Sequence, residues 1–335
     1  MPAVRTHVRA GRWAAVGLAL TAALLLPACS INPDWQLARG DAPATAVLLD
    51  VPFHPQTEYQ CGPAALATVL GASGVATSPE ALVPQVYLPG REGSLQMELV
   101  AATRRAGRIP YEVERDPEGL LAEVHAGRPV LVLQNLLVRS VPKWHYAVLV
   151  GAAPARNEVL LNSGTERGLS MPASKFLRTW DWAGRWGLVA LKPGELPAQA
   201  DPARYLAAVA DFEAVAGAGN AAPAYRAALE RWPDDPRTHL ALGNQAYAAG
   251  KLHQAAGHYR TGLQHAADDA VLGNNYASVL GELGCRKEAH AALERALATA
   301  GQDSRWRAQL EETRAELASG DVPRSDACRR FADPP

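Results

Sequence analysis

The C-terminal half of this 335-residue chain repeats itself, and the period dictates its architecture. Ala221, Ala255 and Ala289 are spaced by 34 residues, as are Tyr225, Tyr259 and Leu293, and likewise Ala228, Gly262 and Ala296. Gly250 and Gly284 keep the same interval, each at the bend between two predicted helices. Small residues recur where paired helices come close, and a large one recurs where they interlock. Each unit is therefore expected to be a helix pair that buries its apolar face only against its neighbours. Three units are expected, over 201–234, 235–268 and 269–302, followed by a cap helix over 304–319 and a tail within 303–335. The first unit has Ala216 where its partners carry the bend glycine.

Residues 47–192 follow a different pattern. Helical periodicity marks 62–71, 94–106 and 118–126, and residues 81–94 otherwise read as loop. Short Val- and Leu-rich runs bounded by Gly, Pro or Asn read as strands at 110–114, 129–134, 145–151, 158–162 and 187–192. Helices first and an antiparallel sheet later predict an α+β domain. Pro193-Gly194-Glu195-Leu196-Pro197 breaks both patterns and predicts a linker over 193–200. Charge is balanced, with 33 Lys+Arg against 34 Asp+Glu. This excludes a nucleic-acid binder driven by bulk charge and an acidic disordered chain.

The N-terminus reads as an address. Arg5, Arg9 and Arg12 precede an uncharged apolar run over 13–26, too short for a comfortable membrane span. Leu26-Pro27-Ala28-Cys29 resembles the bacterial lipobox, which implies a signal peptide over 1–28, a lipidated Cys29 and a tether over 29–46. Ser30, in place of an acid, implies the outer membrane, with the chain facing the periplasm.

Chemistry concentrates around Cys61, in Gln56-Thr-Glu-Tyr-Gln60-Cys61-Gly62-Pro63-Ala64. Cys61 falls where an extended segment turns into a helix, and Pro63 sits in the first turn, where its missing N–H is harmless. A thiol there is expected to have a lowered pKa from the helix dipole and unpaired amides. The Cys61 amide and the Gln56 side chain would hold an oxyanion, with Gln60 competing for the second role. The base is expected from His145, which opens a strand. His125 reads as a helix cap, and His54 lies in the extended lead-in. A four-residue turn between Gly151 and Arg156 would set His145 opposite Asn162. Asn162 would then accept from Nδ1–H and aim Nε2 at the thiol. Asn157 and Ser163 are weaker substitutes.

Gln…Cys-Gly-x-Ala…His-Tyr…Asn in this order resembles the papain-like peptidases that remove double-glycine leaders. The resemblance implies a papain-like fold for 47–192, with Cys61 as nucleophile, His145 as base then acid, Gln56 as oxyanion donor and Asn162 as orienter. The family usually carries Asp where Asn162 stands. The 34-residue units resemble tetratricopeptide repeats, which implies an all-α second domain that recruits a substrate or protein partner. The combination resembles a group of bacterial lipoproteins regarded as cysteine peptidases. The leading expectation is a lipid-anchored peptidase without cofactor or metal, acting on a peptide or protein. A non-catalytic peptide-binding adaptor ranks second, and a cell-wall amidase or transglutaminase third. Cys285 and Cys328 are expected to pair as a disulfide in an oxidising compartment, pinning the tail across the cap helix.

Overall fold

The computed structural model describes residues 35–37, 46–55, 60–300, 305–319 and 326–331. Cys29 and Gln56 lie outside these. The first half builds one seven-stranded sheet from β1 (Val47–Leu48), β2 (Ile109–Glu112), β3 (Val130–Asn135), β4 (Trp144–Ala153), β5 (Glu158–Ser163), β6 (Glu166–Pro172) and β7 (Gly187–Leu191). All pairings are antiparallel, in the order β2-β7-β3-β4-β5-β6, with β1 also on β4. Five helices accompany it: α1 (Cys61–Ala72), α2 (Pro79–Val86), α3 (Gln96–Arg105), α4 (Pro117–His125) and α5 (Ala173–Asp181). The result is the α+β arrangement that the pattern predicts. Two elements differ from expectation. Helix α2 runs into the stretch read as loop, its first turn capped by the Ser78 hydroxyl, which accepts from Ala81 N–H. Strand β6 is too polar and exposed to show an apolar alternation.

Both faces of the sheet are covered, so β3 is buried along its whole length and its Val-Leu-Val-Leu run is apolar on both faces rather than alternating. Leu131 and Leu133 face α1, α2 and α3, packing with Leu66, Leu70, Leu82 and Leu99. Val130 and Val132 face the other way, toward Leu120, Val124, Phe176 and Trp180.

That second cluster does not stop at the domain boundary. The helical half comprises α6 (Pro202–Ala216), α7 (Ala218–Arg231), α8 (Pro236–Ala248), α9 (Leu252–His265), α10 (Ala270–Glu282), α11 (Arg286–Thr299) and α12 (Arg307–Ser319). Helices α6, α8 and α10 begin 34 residues apart, and so do α7, α9 and α11. Tyr205, Val209 and Phe212 of α6, with Ala224, Tyr225 and Ala228 of α7, belong to the same buried cluster as the sheet. Arg204 stacks on Tyr111, donates to the carbonyls of Glu112 and Val113, and pairs with Glu114. The 193–200 segment, expected as a linker, is packed down. Ala198 N–H donates to Glu123 at 2.7 Å, and the Glu195 carbonyl accepts from Tyr205 Oη at 3.1 Å. The later helix pairs have a core of their own.

The first bend glycine is present one residue late. Gly217 takes φ +86°, where the other two bends place Gly250 at +69° and Gly284 at +79°. Cys285 and Cys328 are disulfide-bonded, with Cα atoms 5.2 Å apart. The bond holds a short 3-10 turn (Asp326–Phe331) on the repeats, where Phe331 meets the Tyr276 ring edge-on. At the other end of the chain, Trp35 and Leu37 are buried against the first domain, within the region expected to be a tether. Asn157, at the β4–β5 turn, bonds both: its Oδ1 accepts from Leu37 N–H and its Nδ2 donates to the Trp35 carbonyl. Among the described residues no helix is long and apolar enough to cross a membrane.

Candidate active site

Cys61 is the first residue of α1, and Gln60 before it offers no side-chain cap. The amides at this helix start are therefore left to other partners. Gly62 is required by close packing, because a Cβ there would collide with the Ser94 side chain. Ser94 sits on the loop between α2 and α3, its carbonyl accepting from Tyr146 Oη at 3.2 Å, while its hydroxyl is buried without a partner. That loop, the start of α1 and the start of β4 enclose a cavity of about 880 Å³. Cys61, Ser94, Trp144, His145 and Tyr146 line it, with Arg91, Lys143 and Glu92 bringing charge of both signs.

The thiol and the imidazole thus reach one cavity from elements far apart in sequence. Cys61 Sγ lies against the backbone amide of Tyr146, the residue next to His145, and against the amides of Gly62 and Cys61 itself. These N–H groups favour a thiolate, but burial outweighs them and pushes the Cys61 pKa up. The expected lowering at the helix start is therefore overturned, because withdrawal from water costs the anion more than the local dipoles return. His145 is pushed down to about 4 by burial and then by the neighbouring Lys143 charge. At neutral pH the resting pair is uncharged thiol and uncharged imidazole. Among the described residues, no hydrogen bond joins them.

The third member differs from expectation. Asn162 pairs with Val148, not with His145. Strand β4 runs on to Ala153, and a bulge shifts the β4–β5 register between Leu149 and Gly151. A Cβ on Gly151 would strike the Val47 carbonyl, so glycine permits β1 to close on β4 there. The Asn162 Oδ1 instead accepts from Gly168 N–H at 3.0 Å, and its Nδ2 is buried without a partner. Ser163 takes the place beside the ring, its Oγ 2.9 Å from His145 Nε2. Nε2, the nitrogen expected to face the thiol, is thus the one that Ser163 occupies. Asn157, the other substitute, lies at the opposite end of β4. His125 bonds the Leu121 carbonyl through Nδ1 as a helix-end residue.

Tyr146 and Ser94 escape a reading of the sequence, although His145-Tyr146 opening a strand is the one signal that marks the tyrosine. Among the described residues no group of three His, Cys, Asp or Glu side chains is placed to hold a metal.

In comparisons with known proteins, no family model and no curated protein matches the chain. It is similar to a solved structure described as a putative C39-like peptidase from Bacillus anthracis, at 19% sequence identity, over 44% of this chain and 98% of that one, with a TM-score of 0.38. A likeness that loose says nothing about chemistry, which rests on the residues themselves.

Proposed function

We propose that this chain is a cysteine peptidase in which Cys61 attacks a peptide carbonyl and His145 carries the proton. The observation that supports this reading is the meeting of a helix-start thiol and a strand-start imidazole in one cavity, with the sulfur against the Tyr146 amide. Because the resting pair is neutral, the reaction begins by moving the Cys61 proton to His145 Nδ1 as sulfur bonds the substrate carbon. The oxyanion then forms beside the Cys61 amide, with Gln56 as the second donor. His145 returns the proton to the departing amine, and water attacks the resulting thioester by the same route. The helix pairs are read as tetratricopeptide repeats that recruit the substrate or a partner, and Cys29 as a lipid anchor on the periplasmic face of the outer membrane.

A peptidyl vinyl sulfone, whose electrophilic carbon is captured by an activated thiol, tests the chemistry. Labelling of the full chain, lost in Cys61→Ala and strongly slowed in His145→Ala, is the expected result. Equal labelling in all three proteins removes the assignment. A second reading, a peptide-binding adaptor that does no chemistry, draws on the absence of a hydrogen bond between thiol and imidazole. Binding of a peptide library without cleavage at any pH between about 6 and about 9 would decide for it.

A further inference from the structure

A hydroxyl occupies the place beside the imidazole where the sequence leads one to expect a carboxylate or carboxamide. Ser163 Oγ lies 2.9 Å from His145 Nε2, and among the described residues that hydroxyl has no other partner. The register explains why serine rather than asparagine arrives there. Strand β5 pairs regularly with β6 through Leu161↔Leu169, then slips so that Ser163 faces Glu166. Asn162 stays in the regular part of that hairpin, where it holds Gly168 N–H, while the bulge between Leu149 and Gly151 shifts the β4–β5 register by one and puts the next side chain, Ser163, on the face of His145.

An imidazole with one proton has two tautomers, and only one of them leaves Nδ1 able to accept from a thiol. We propose that Ser163 is the positioning residue of the thiol–imidazole pair: its oxygen accepts the Nε2 proton of His145, fixing the tautomer in which Nδ1 takes the proton of Cys61. Ser163 is not among the residues lining the cavity and acts through His145. A hydroxyl is uncharged, so it orients the ring without stabilising an imidazolium as a carboxylate does. This accords with a His145 that burial and Lys143 keep neutral down to low pH. The inference rests on the peptidase reading for its purpose, but the tautomer itself does not depend on it.

Two measurements on the full, disulfide-intact chain test the assignment. Nitrogen-15 spectra of the histidine rings, with His145 assigned by its loss in His145→Gln, should show the Nε2–H tautomer in the wild type and in Ser163→Thr. In Ser163→Ala they should show a mixture. The rate of Cys61 alkylation by iodoacetamide at pH 7 should fall roughly fivefold to tenfold in Ser163→Ala, the size of one neutral hydrogen bond, and recover in Ser163→Thr. Ser163→Asp should move the protonation of His145 to higher pH and speed alkylation at low pH. It keeps an acceptor in place should the alanine variant fail to fold. An unchanged tautomer and alkylation rate in Ser163→Ala, or an unmoved His145 titration in Ser163→Asp, overturns the proposal. If the tautomer depends on Ser163 while no peptide is cleaved, the positioning role stands and the peptidase reading falls.

Discussion

The helix pairs and the sheet domain are held together in different ways. Each later repeat is built from residues close in sequence: Tyr259 of α9 packs on Gly243 of α8 and donates to Asn244, and one period on Leu293 of α11 is buried with Ala277 of α10 in the same core. The candidate site gathers Cys61, Ser94, His145 and Ser163 from four separate elements, and no short stretch contains two of them. The line between these regimes is not where the composition changes. The first helix pair shares its core with the sheet, with Ala241 and Leu242 of α8 packed against it, and the rest of the second and third pairs build a second core. A repeat is thus not always a module, because its stacking face accepts whatever apolar surface lies beside it.

This difference can be broken or sharpened by experiment. The largest effect expected is on chemistry alone: Cys61→Ala abolishes turnover while leaving the thermal unfolding midpoint near that of the wild type. Almost as decisive is truncation. A chain ending near residue 234 should stay soluble and cooperative, whereas one ending near residue 200 strips the cover from Ile109 and Tyr111 and should aggregate, as gel filtration would show. If the shorter chain folds well, the shared core counts for little.

Removing the disulfide acts on the opposite half. Cys285→Ser with Cys328→Ser opens a link between residues 43 apart and should cost about 4 kcal/mol in urea unfolding of the repeats, with Cys61 labelling unchanged. Loss of labelling there would tie the halves more closely than their cores indicate.

Acid acts on the sheet half. The folded pKa of His145, about 4, lies below that of an unfolded histidine near 6.5. The unfolded chain therefore takes up the proton first. The contribution to stability is intact above pH 6.5 and is lost as pH falls toward 4, on the order of 3 kcal/mol at most. His145→Gln should flatten that part of the pH–stability curve. The smallest change expected is in the repeats, where Gly243→Ala drives a methyl group into the buried Tyr259 ring and should cost roughly 2 kcal/mol.

What could be read from residues in order follows the same division. The columns at 34-residue spacing predict helix starts that the structure places at that interval, because both partners of each contact lie within one or two periods. The α+β character of 47–192 and the strands through His145 and Gly187 were legible from apolar runs and their Gly and Pro boundaries. Helix α2, with Pro84 inside it, and polar β6 were not, since tertiary packing stabilises elements whose local pattern is weak. Cys61 and His145 stood out by chemistry, but their protonation did not, because burial is a property of the assembled fold.

Sequence alone determined the periodic half, the strand content of the other half and the two residues to which we assign acyl transfer. Each of these follows from side-chain type and local spacing. Only the tertiary structure decided that Ser163, not Asn162, meets the imidazole, that the first helix pair belongs to the core of the sheet domain, and that burial favours the uncharged thiol and imidazole. A one-residue bulge reverses which side of a sheet a side chain faces, and desolvation depends on what surrounds a group in space; neither is written in the order of residues.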